Sequence, residues 1–439
     1  MREALLRRLR FPLALHQTDW RLHDERLRFA SAATPTWHAL HLLIAIVFCA
    51  TAGLSTSTLQ ISAGLLLGIA IIRLPTTWRV TLAAGLTPTS LLATAFVGWN
   101  AMSLLWSSQP RIGFDLLVPQ RMLVIALALA PLALHRVTLA WALVLGMGIQ
   151  LVVQLSAVLA LIDNGGRTRY VGLASHPGHL TLWFTFAATT ALALTIGSGG
   201  RRRLLALGAG LANMLGATLA FGRGSLIGMY VALGSVVVIA AKPRWSATRI
   251  VVASLLLALS LGAVVAAFRP QQVASFAQKT FSQLNTLAES GEPGGTVGFR
   301  AYWWRLAAEQ WLKAPVVGQG LGSFAALSAP TAGPARPARD GGPTAVQPHS
   351  TLLQTLCETG LIGGALLLLM ITVPLVTGIR AWMDRAEAVS LAGAGCLLAW
   401  GVAALFDGFH VSSRSMAALA LAFSFAVAAP SWAIRKRCH

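Results

Sequence analysis

The sequence predicts an all-α polytopic membrane protein with about 12 transmembrane helices. Hydrophobic residues make up 56% of the 439 residues and charged residues 11%, whereas a soluble domain carries about 25% charged residues. The apolar residues form continuous runs, which is typical of membrane-spanning helices of about 20 residues and not of the alternating strands of a β-barrel. This composition excludes an ordinary soluble enzyme, a disordered chain and a disulfide scaffold, and the four cysteines show no zinc-site spacing.

Residues 1–35 are predicted to be a cytoplasmic basic segment. Arg7, Arg8 and Arg10 interrupt any apolar stretch that a signal peptide would need. Arginines that alternate with leucines suit a basic helix on the membrane surface.

Twelve apolar runs are long enough to be predicted as spans, with short fourth and eighth runs and indistinct boundaries between the first and second and between the seventh and eighth. We predict nine spans within 36–268, three within 351–434 and a cytoplasmic tail at 435–439. The predicted spans are 36–54, 57–73, 89–106, 121–135, 137–161, 177–197, 203–221, 224–241, 248–268, 351–379, 388–406 and 415–434.

The distribution of basic residues predicts the orientation of these spans. With a cytoplasmic N-terminus, 21 of the 34 Lys and Arg residues fall on the inner side and 13 on the outer side. Seven of the outer residues lie in the long segment 269–350, and long loops are exempt from the positive-inside rule. Both termini are therefore predicted to be cytoplasmic, with 269–350 on the outer side. In a membrane protein, a net charge of +20 indicates orientation in the membrane and binding to lipid phosphates more than binding to nucleic acid.

The long outer loop 269–350 is predicted to contain one amphipathic helix. Residues 291–298 are turn-rich, residues 299–313 read as a helix that stops before Pro315, and residues 328–348 form a Pro/Gly/Ala-rich linker. Two interpretations stay open for the helix. It is either a cover whose aromatic residues lie at the membrane interface or a lid whose Arg300 faces a lipid-linked anion.

The sequence carries no pattern for nucleotide or metal chemistry. It lacks a GxxxxGK motif and an Asp-x-Asp pair, so we expect neither cofactor nor metal. Glu358 is the main ionisable residue that falls inside a predicted span, where a structural partner role is at least as plausible as a role in proton relay.

Polar residues instead gather where predicted spans meet the outer interface. Guanidinium groups bind phosphate oxygens bidentately, which favours a lipid diphosphate as ligand, although a single interfacial arginine more often only anchors a helix end. Arg223 is the strongest candidate because Gly222 and Gly224 flank it and would let a headgroup approach. The other candidates at this level are Arg169, His176, His349, Asp407, His410 and Arg414.

His349 is the best single catalytic candidate. It precedes the tenth span, and the positive end of a helix dipole disfavours the imidazolium form. A neutral imidazole can act as a general base near pH 7. The alternative is a polar residue at a helix start with no chemical role.

Three stretches together resemble the O-antigen ligase family, whose membrane enzymes join O-antigen to lipid A–core. His349-Ser350, nine residues and then Gly360-Leu361-Ile362-Gly363 resemble the family's His-(Asn/Ser/Gln)-x9-Gly-x-x-Gly signature. FGRGS around Arg223 resembles the family's arginine after span 7. FRAYWW with Arg300, followed by APVVGQGLGSF, resembles the loop helix and its Gly-rich turn. The likeness in motif covers about 220–364.

The resemblance implies a GT-C-like fold and a glycosyl transfer without nucleotide sugar or metal, at the periplasmic side of the bacterial inner membrane. It implies an O-polysaccharide on undecaprenyl diphosphate as donor and a sugar hydroxyl of lipid A–core as acceptor. Arg223 and Arg300 would grip the diphosphate, and His349 would deprotonate or orient the acceptor hydroxyl. Ser350 stands where relatives often have Asn. Residues that could support this site are Arg169, His176, Arg305, Ser350, Asp407, His410 and Arg414.

Four alternatives stay open. An O-antigen polymerase typically has two outer loops with Arg-x10-Gly motifs, whereas Trp311 and Val316 stand at that offset from Arg300 and Arg305. A protein O-oligosaccharyltransferase shares the signature and is usually longer. A lipid-linked glycan flippase would place arginines in a central cavity. A non-catalytic scaffold would not require His349.

Overall fold

The computed structural model of the chain describes residues 27–29, 31–159, 173, 176–241, 278, 281–283, 285, 295–332 and 347–426. The predicted basic segment up to residue 26, the ninth predicted span 248–268 and the tail 435–439 lie outside the described residues. Within the described ranges the regular secondary structure is helical, and it contains no strand.

Fifteen α-helices of five residues or more follow one another along the described chain. They are α1 Pro35–Thr51, α2 Thr56–Ile72, α3 Leu74–Gly85, α4 Pro88–Ser103, α5 Pro110–Leu117, α6 Ile125–Leu129, α7 Arg136–Val158, α8 Pro177–Gly197, α9 Gly200–Ala220, α10 Arg223–Ala241, α11 Gly295–Lys313, α12 Ser323–Ala332, α13 Thr351–Arg385, α14 Ala388–Ala404 and α15 Ser413–Ala426.

Several of these helices are long and apolar enough to cross a membrane. Among the described residues there are five such helices, or up to seven if each of two bent pairs crosses as one span. α14 and α15 are shorter apolar helices of 17 and 14 residues. The chain is therefore an all-helical protein with several candidate spans, and the count of twelve stays a prediction.

Two regions differ from the helices that the sequence predicts. Residues 121–135 are not one helix, because short 3-10 segments enclose α6 on both sides. Pro119 and Pro131 lie in these segments, and proline removes the backbone donor that a continuous α-helix requires. α3 was not predicted as a separate element, and it bends by 107° from α2.

α8 lies at the centre of the bundle and packs against α9, α10 and α14. Most of its residues are buried, as expected for a helix that is apolar on all sides. Small residues bring its neighbours close together: a Cβ on Gly228 of α10 would lie 2.5 Å from the carbonyl oxygen of Ala399 in α14. This tight packing fixes the positions of the start of α8, the start of α10 and the end of α14 relative to one another.

α13 is interrupted at Gly360, which has φ +68° and ψ −166°. Backbone conformation decides the identity of Gly360, because only glycine adopts this combination at low cost. The first nine residues of α13, 351–359, therefore form a short helical segment that ends inside the protein.

Candidate active site

The predicted polar residues meet at one end of the bundle, where α8, α10 and α13 begin and α14 ends. Glycines allow this meeting: a Cβ on Gly222 would lie 2.7 Å from the Cα of Gly178, and a Cβ on Gly224 would lie 2.9 Å from the Cβ of Phe406. A Cβ on Gly178 would lie 3.0 Å from Asp407 Oδ2. The start of α8, the start of α10 and the segment after α14 are thus in direct contact.

His349 lies beside Asp407, with 3.3 Å between His349 Nδ1 and Asp407 Oδ1. His349 immediately precedes the N-cap of α13 and has φ +52°. Left-handed backbone at a non-glycine residue is strained, and such strained residues cluster at functional sites. The side chain of His349 is 37% exposed and that of Asp407 is 20% exposed, so both groups can reach a substrate.

Thr351 holds the two segments of this pair together. Its backbone N–H and its hydroxyl both donate to the carbonyl oxygen of Asp407, at 3.1 Å and 2.8 Å. The hydroxyl oxygen in turn accepts from the backbone N–H of Phe409 at 2.8 Å. These hydrogen bonds join the first residue of α13 to the turn after α14. They hold Asp407 next to His349.

Asp407 is held in its ionised form. Burial alone would raise its pKa, but the hydrogen bond with His349 and the neighbouring His179 and His176 lower the pKa to about 2. An ionised carboxylate can only accept hydrogen bonds. His349 Nδ1 must therefore carry the hydrogen of the pair, which leaves Nε2 as the ring nitrogen that can accept a proton.

Arg300 reaches the same place from α11. Its Nη1 donates to the carbonyl oxygen of Phe406 at 3.0 Å, one residue before Asp407. Trp303, on the same helix, lies with its ring centre 5.8 Å from that of His349. α11 begins at Gly295, so the last part of the predicted hinge 291–298 is helical. Trp303 thus lies against His349, so this part of α11 forms a wall of the site.

Arg223 is the first residue of α10 and is partly buried. The turn before it contains Phe221 in the left-handed conformation, with φ +55°. The backbone N–H of Gly222 donates to Thr181 Oγ1 at 2.8 Å, which ties this turn to α8. The flanking contacts of Gly222 and Gly224 place Arg223 between the start of α8 and the segment that carries Asp407.

Three further histidines and one arginine lie close to this group. The rings of His176 and His179 are 4.6 Å apart, and the ring of His179 is 5.8 Å from that of Phe409. His410 is 1% exposed and Arg414 is 6% exposed. Burial lowers the pKa of His410 to about 4, which keeps that ring neutral at pH 7.

Two of the predicted supporting residues, Arg305 and Ser350, make their hydrogen bonds outside this cluster. The side chain of Arg305 is 80% exposed and donates to Glu309 on the surface of α11. Ser350 is the N-cap of α13, and its hydroxyl accepts from the backbone N–H of Leu353 at 3.4 Å. Arg169 lies outside the described residues. The described part of the chain also contains no group of three His, Cys, Asp or Glu side chains that could hold a metal ion.

Thr351 and Trp303 were not predicted as part of the site. Thr351 follows His349-Ser350 directly, and its hydroxyl at the start of the predicted span could have marked it as part of the site. Trp303 carried no comparable signal, because the helical pattern of 299–313 does not show which element the helix packs against.

Part of the chain, including much of this site, matches a known protein family. Residues 204–368, more than a third of the chain, match the family model described as O-antigen ligase. The matched segment contains Arg223, Arg300 and His349, whereas Asp407 lies beyond its end. No curated protein matches the chain. Over residues 204–368 the chain is therefore similar to the O-antigen ligase family.

Proposed function

We propose that this protein transfers an O-polysaccharide from undecaprenyl diphosphate to a sugar hydroxyl of lipid A–core, at the periplasmic leaflet of the inner membrane. The observation that carries the proposal is the pair of His349 and Asp407, which lies beside Arg300 within and next to the segment that matches the ligase family.

His349 is proposed as the general base. Its Nε2 takes the proton of the acceptor hydroxyl while the hydroxyl oxygen forms a bond to the anomeric carbon of the donor. The bond from that carbon to the diphosphate oxygen breaks, and undecaprenyl diphosphate leaves from the opposite face, which inverts the anomeric centre. Asp407 stabilises the imidazolium that forms. A positioned base of this kind contributes about 10²- to 10⁴-fold to the rate.

Arg223 and Arg300 are proposed to bind the diphosphate. Each guanidinium offers a planar set of donors that matches two phosphate oxygens. Both residues lie at the same end of the bundle as His349, and their charge would stabilise the negative charge that develops on the leaving diphosphate.

Reconstitution tests this proposal. Purified protein is mixed with undecaprenyl-diphosphate-linked glycan and lipid A–core, with EDTA and without ATP, and glycosylated lipid is detected on a gel. We expect product from the wild type, a loss of about 10²-fold or more for His349→Ala, and a loss of most activity for Arg223→Lys, because an ammonium cannot replace the bidentate fork. Arg202→Lys, an exposed substitution in the first turn of α9, is the matched control.

Other products would redirect the assignment. Longer donor chains without glycosylated lipid A–core would indicate a polymerase, and glycan on added protein acceptors would indicate a protein oligosaccharyltransferase. Translocation of the donor without transfer would indicate a flippase. Equal activity of folded His349→Ala and wild type would remove His349 from the mechanism.

A further inference from the structure

Glu358 is a buried carboxyl group that the proposed mechanism does not use. It is 1% exposed and lies in the first half of α13, two residues before the break at Gly360. A carboxyl group in such a place is costly unless hydrogen bonds replace its hydration. Its partners therefore show what the residue does.

The side chain of Glu358 binds the loop that follows α11. Oε1 accepts from the backbone N–H of Phe324 at 3.3 Å, and the backbone N–H of Gly322 also donates to the carboxyl group. Oε2 accepts from Gln354 Nε2 at 3.4 Å. Phe324 is the second residue of α12, where backbone N–H groups have no partner inside their own helix. Glu358 thus satisfies the N-terminus of α12 from a different helix.

The Gly-rich turn 314–322 is hydrogen-bonded to the break in α13. The backbone N–H groups of Gln319 and Gly320 donate to the carbonyl oxygens of Cys357 and Glu358, at 2.9 Å and 2.7 Å. In the other direction, the N–H of Leu361 donates to the carbonyl oxygen of Pro315 at 2.8 Å. The break at Gly360 leaves backbone groups of α13 without helical partners, and the turn supplies those partners.

This turn sets the position of α11, because α11 ends at Lys313 directly before it. Ala307 of α11 packs with Phe324 and Cys357 in a small apolar cluster. From Lys313 back to Arg300 the helix extends about 20 Å at 1.5 Å per residue. A small rotation at the turn would therefore move the guanidinium of Arg300, and a displacement of about 1 Å at a reacting group can cost about 100-fold in rate.

We infer that Glu358 is a positioning residue, whose hydrogen bonds to the turn before α12 fix α11 so that Arg300 lies beside His349 and Asp407. The inference rests on the proposed function only in that Arg300 binds the donor diphosphate. Glu358 would then affect substrate binding without contacting the substrate.

Glu358→Gln tests the inference because it keeps the size of the side chain and turns one acceptor into a donor. An amide cannot accept from both the loop N–H groups and Gln354. We expect folded protein with a KM for the donor about 10-fold or more above the wild-type value, in the range of residues that orient ligands, and a smaller change in kcat. Glu309→Gln, an exposed carboxylate on α11 that pairs only with Arg305 among the described residues, is the matched control.

A double-mutant cycle separates positioning from general destabilisation. If Glu358 acts through Arg300, Glu358→Gln should change activity less than about 2-fold in an Arg300→Ala background. The same substitution should keep its full effect in an Arg223→Lys background. Full additivity with Arg300→Ala would overturn the inference.

A distance measurement tests the position of α11 without relying on activity. Spin labels at Leu312→Cys on α11 and Arg202→Cys on α9, with Cys438 replaced by Ser, should give a narrow distance distribution in the wild type and a broadened or shifted one in Glu358→Gln. If Glu358→Gln does not accumulate, Gln354→Met removes one partner and should give a smaller change in the same direction. An unchanged distribution would refute the positioning role even if the protein proved not to be a ligase. A changed distribution with an unchanged KM would refute the link to Arg300 and leave the proposed function standing.

Discussion

A carboxylate that stays charged defines the site at the scale of single residues. Asp407 is mostly buried, and a hydrogen bond with His349 together with two more nearby imidazoles lowers its pKa to about 2. At neutral pH the carboxylate accepts from His349 Nδ1 and orients the ring. The same logic assigns base and orienting group in hydrolase triads, where replacing the carboxylate by an amide costs about 10⁴-fold.

Asp407→Asn should therefore lower kcat by about 10²- to 10⁴-fold with little change in the KM for the donor. The amide can donate an N–H group to His349 Nδ1. The neutral ring then carries its hydrogen on Nε2, and Nε2 can no longer act as the base. The measurement is steady-state kinetics of the reconstituted reaction, with melting temperature as the control for folding. A KM effect without a kcat effect would place Asp407 in donor binding.

The same substitution should change how stability depends on pH. The folded-state pKa of Asp407 lies below its ordinary value, so its contribution to stability is present above about pH 4 and is lost as the pH falls toward 2. The melting temperature of the wild type should exceed that of Asp407→Asn at pH 6, and the difference should shrink toward pH 2. A difference that does not depend on pH would mean that packing, and not charge, holds Asp407.

At the scale of secondary-structure elements, two helices determine the shape of the site. The first nine residues of α13, 351–359, begin just after His349 and carry Glu358 close to their other end. α11 runs beside them and brings Arg300 to Phe406. The Gly-rich turn joins the two elements at the break in α13. Because hydrogen bonds anchor both ends of α11, the helix forms a fixed wall in this structure, and its closure as a lid stays a prediction.

Gly360→Ala should disrupt this arrangement. The added Cβ would collide with the carbonyl group of Val316, and a non-glycine residue in this conformation costs on the order of 1–3 kcal/mol. We expect a melting temperature lower by about 2 °C or more and a loss of activity. Gly98→Ala is the matched control, because a Cβ there meets nothing within 4 Å. Equal melting temperatures for the two variants would show that the break is not required.

The sequence could predict elements whose signals are local. The span at 177–197 agrees with α8 at both ends, because Pro177 suits a first helical turn and Gly197 is the last helical residue before a polar segment. Residues 74–85 are less hydrophobic, with polar residues among the apolar ones, and α3 was missed. In the site, topology placed His349 and Asp407 at one membrane face but could not show that they touch, because their contact joins positions 58 residues apart.

At the scale of the whole molecule, the distribution of exposed charge indicates how the protein is oriented in the membrane. Exposed arginines cluster at the start of α9, at residues 201–203, which is the end of the bundle opposite to His349. The positive-inside rule places such a cluster in the cytoplasm. The site would then face the periplasm, where a lipid-linked glycan and lipid A–core could both reach it.

Cysteine labelling tests this orientation. In a background with Cys438 replaced by Ser, the described cysteines Cys49, Cys357 and Cys396 are buried, so single exposed positions can be read separately. Arg305→Cys, near the site, should react with a membrane-impermeant maleimide in intact spheroplasts. Arg202→Cys should react only after permeabilisation. The reverse pattern would place the site in the cytoplasm, where a transfer between lipid-linked partners of the outer leaflet could not occur.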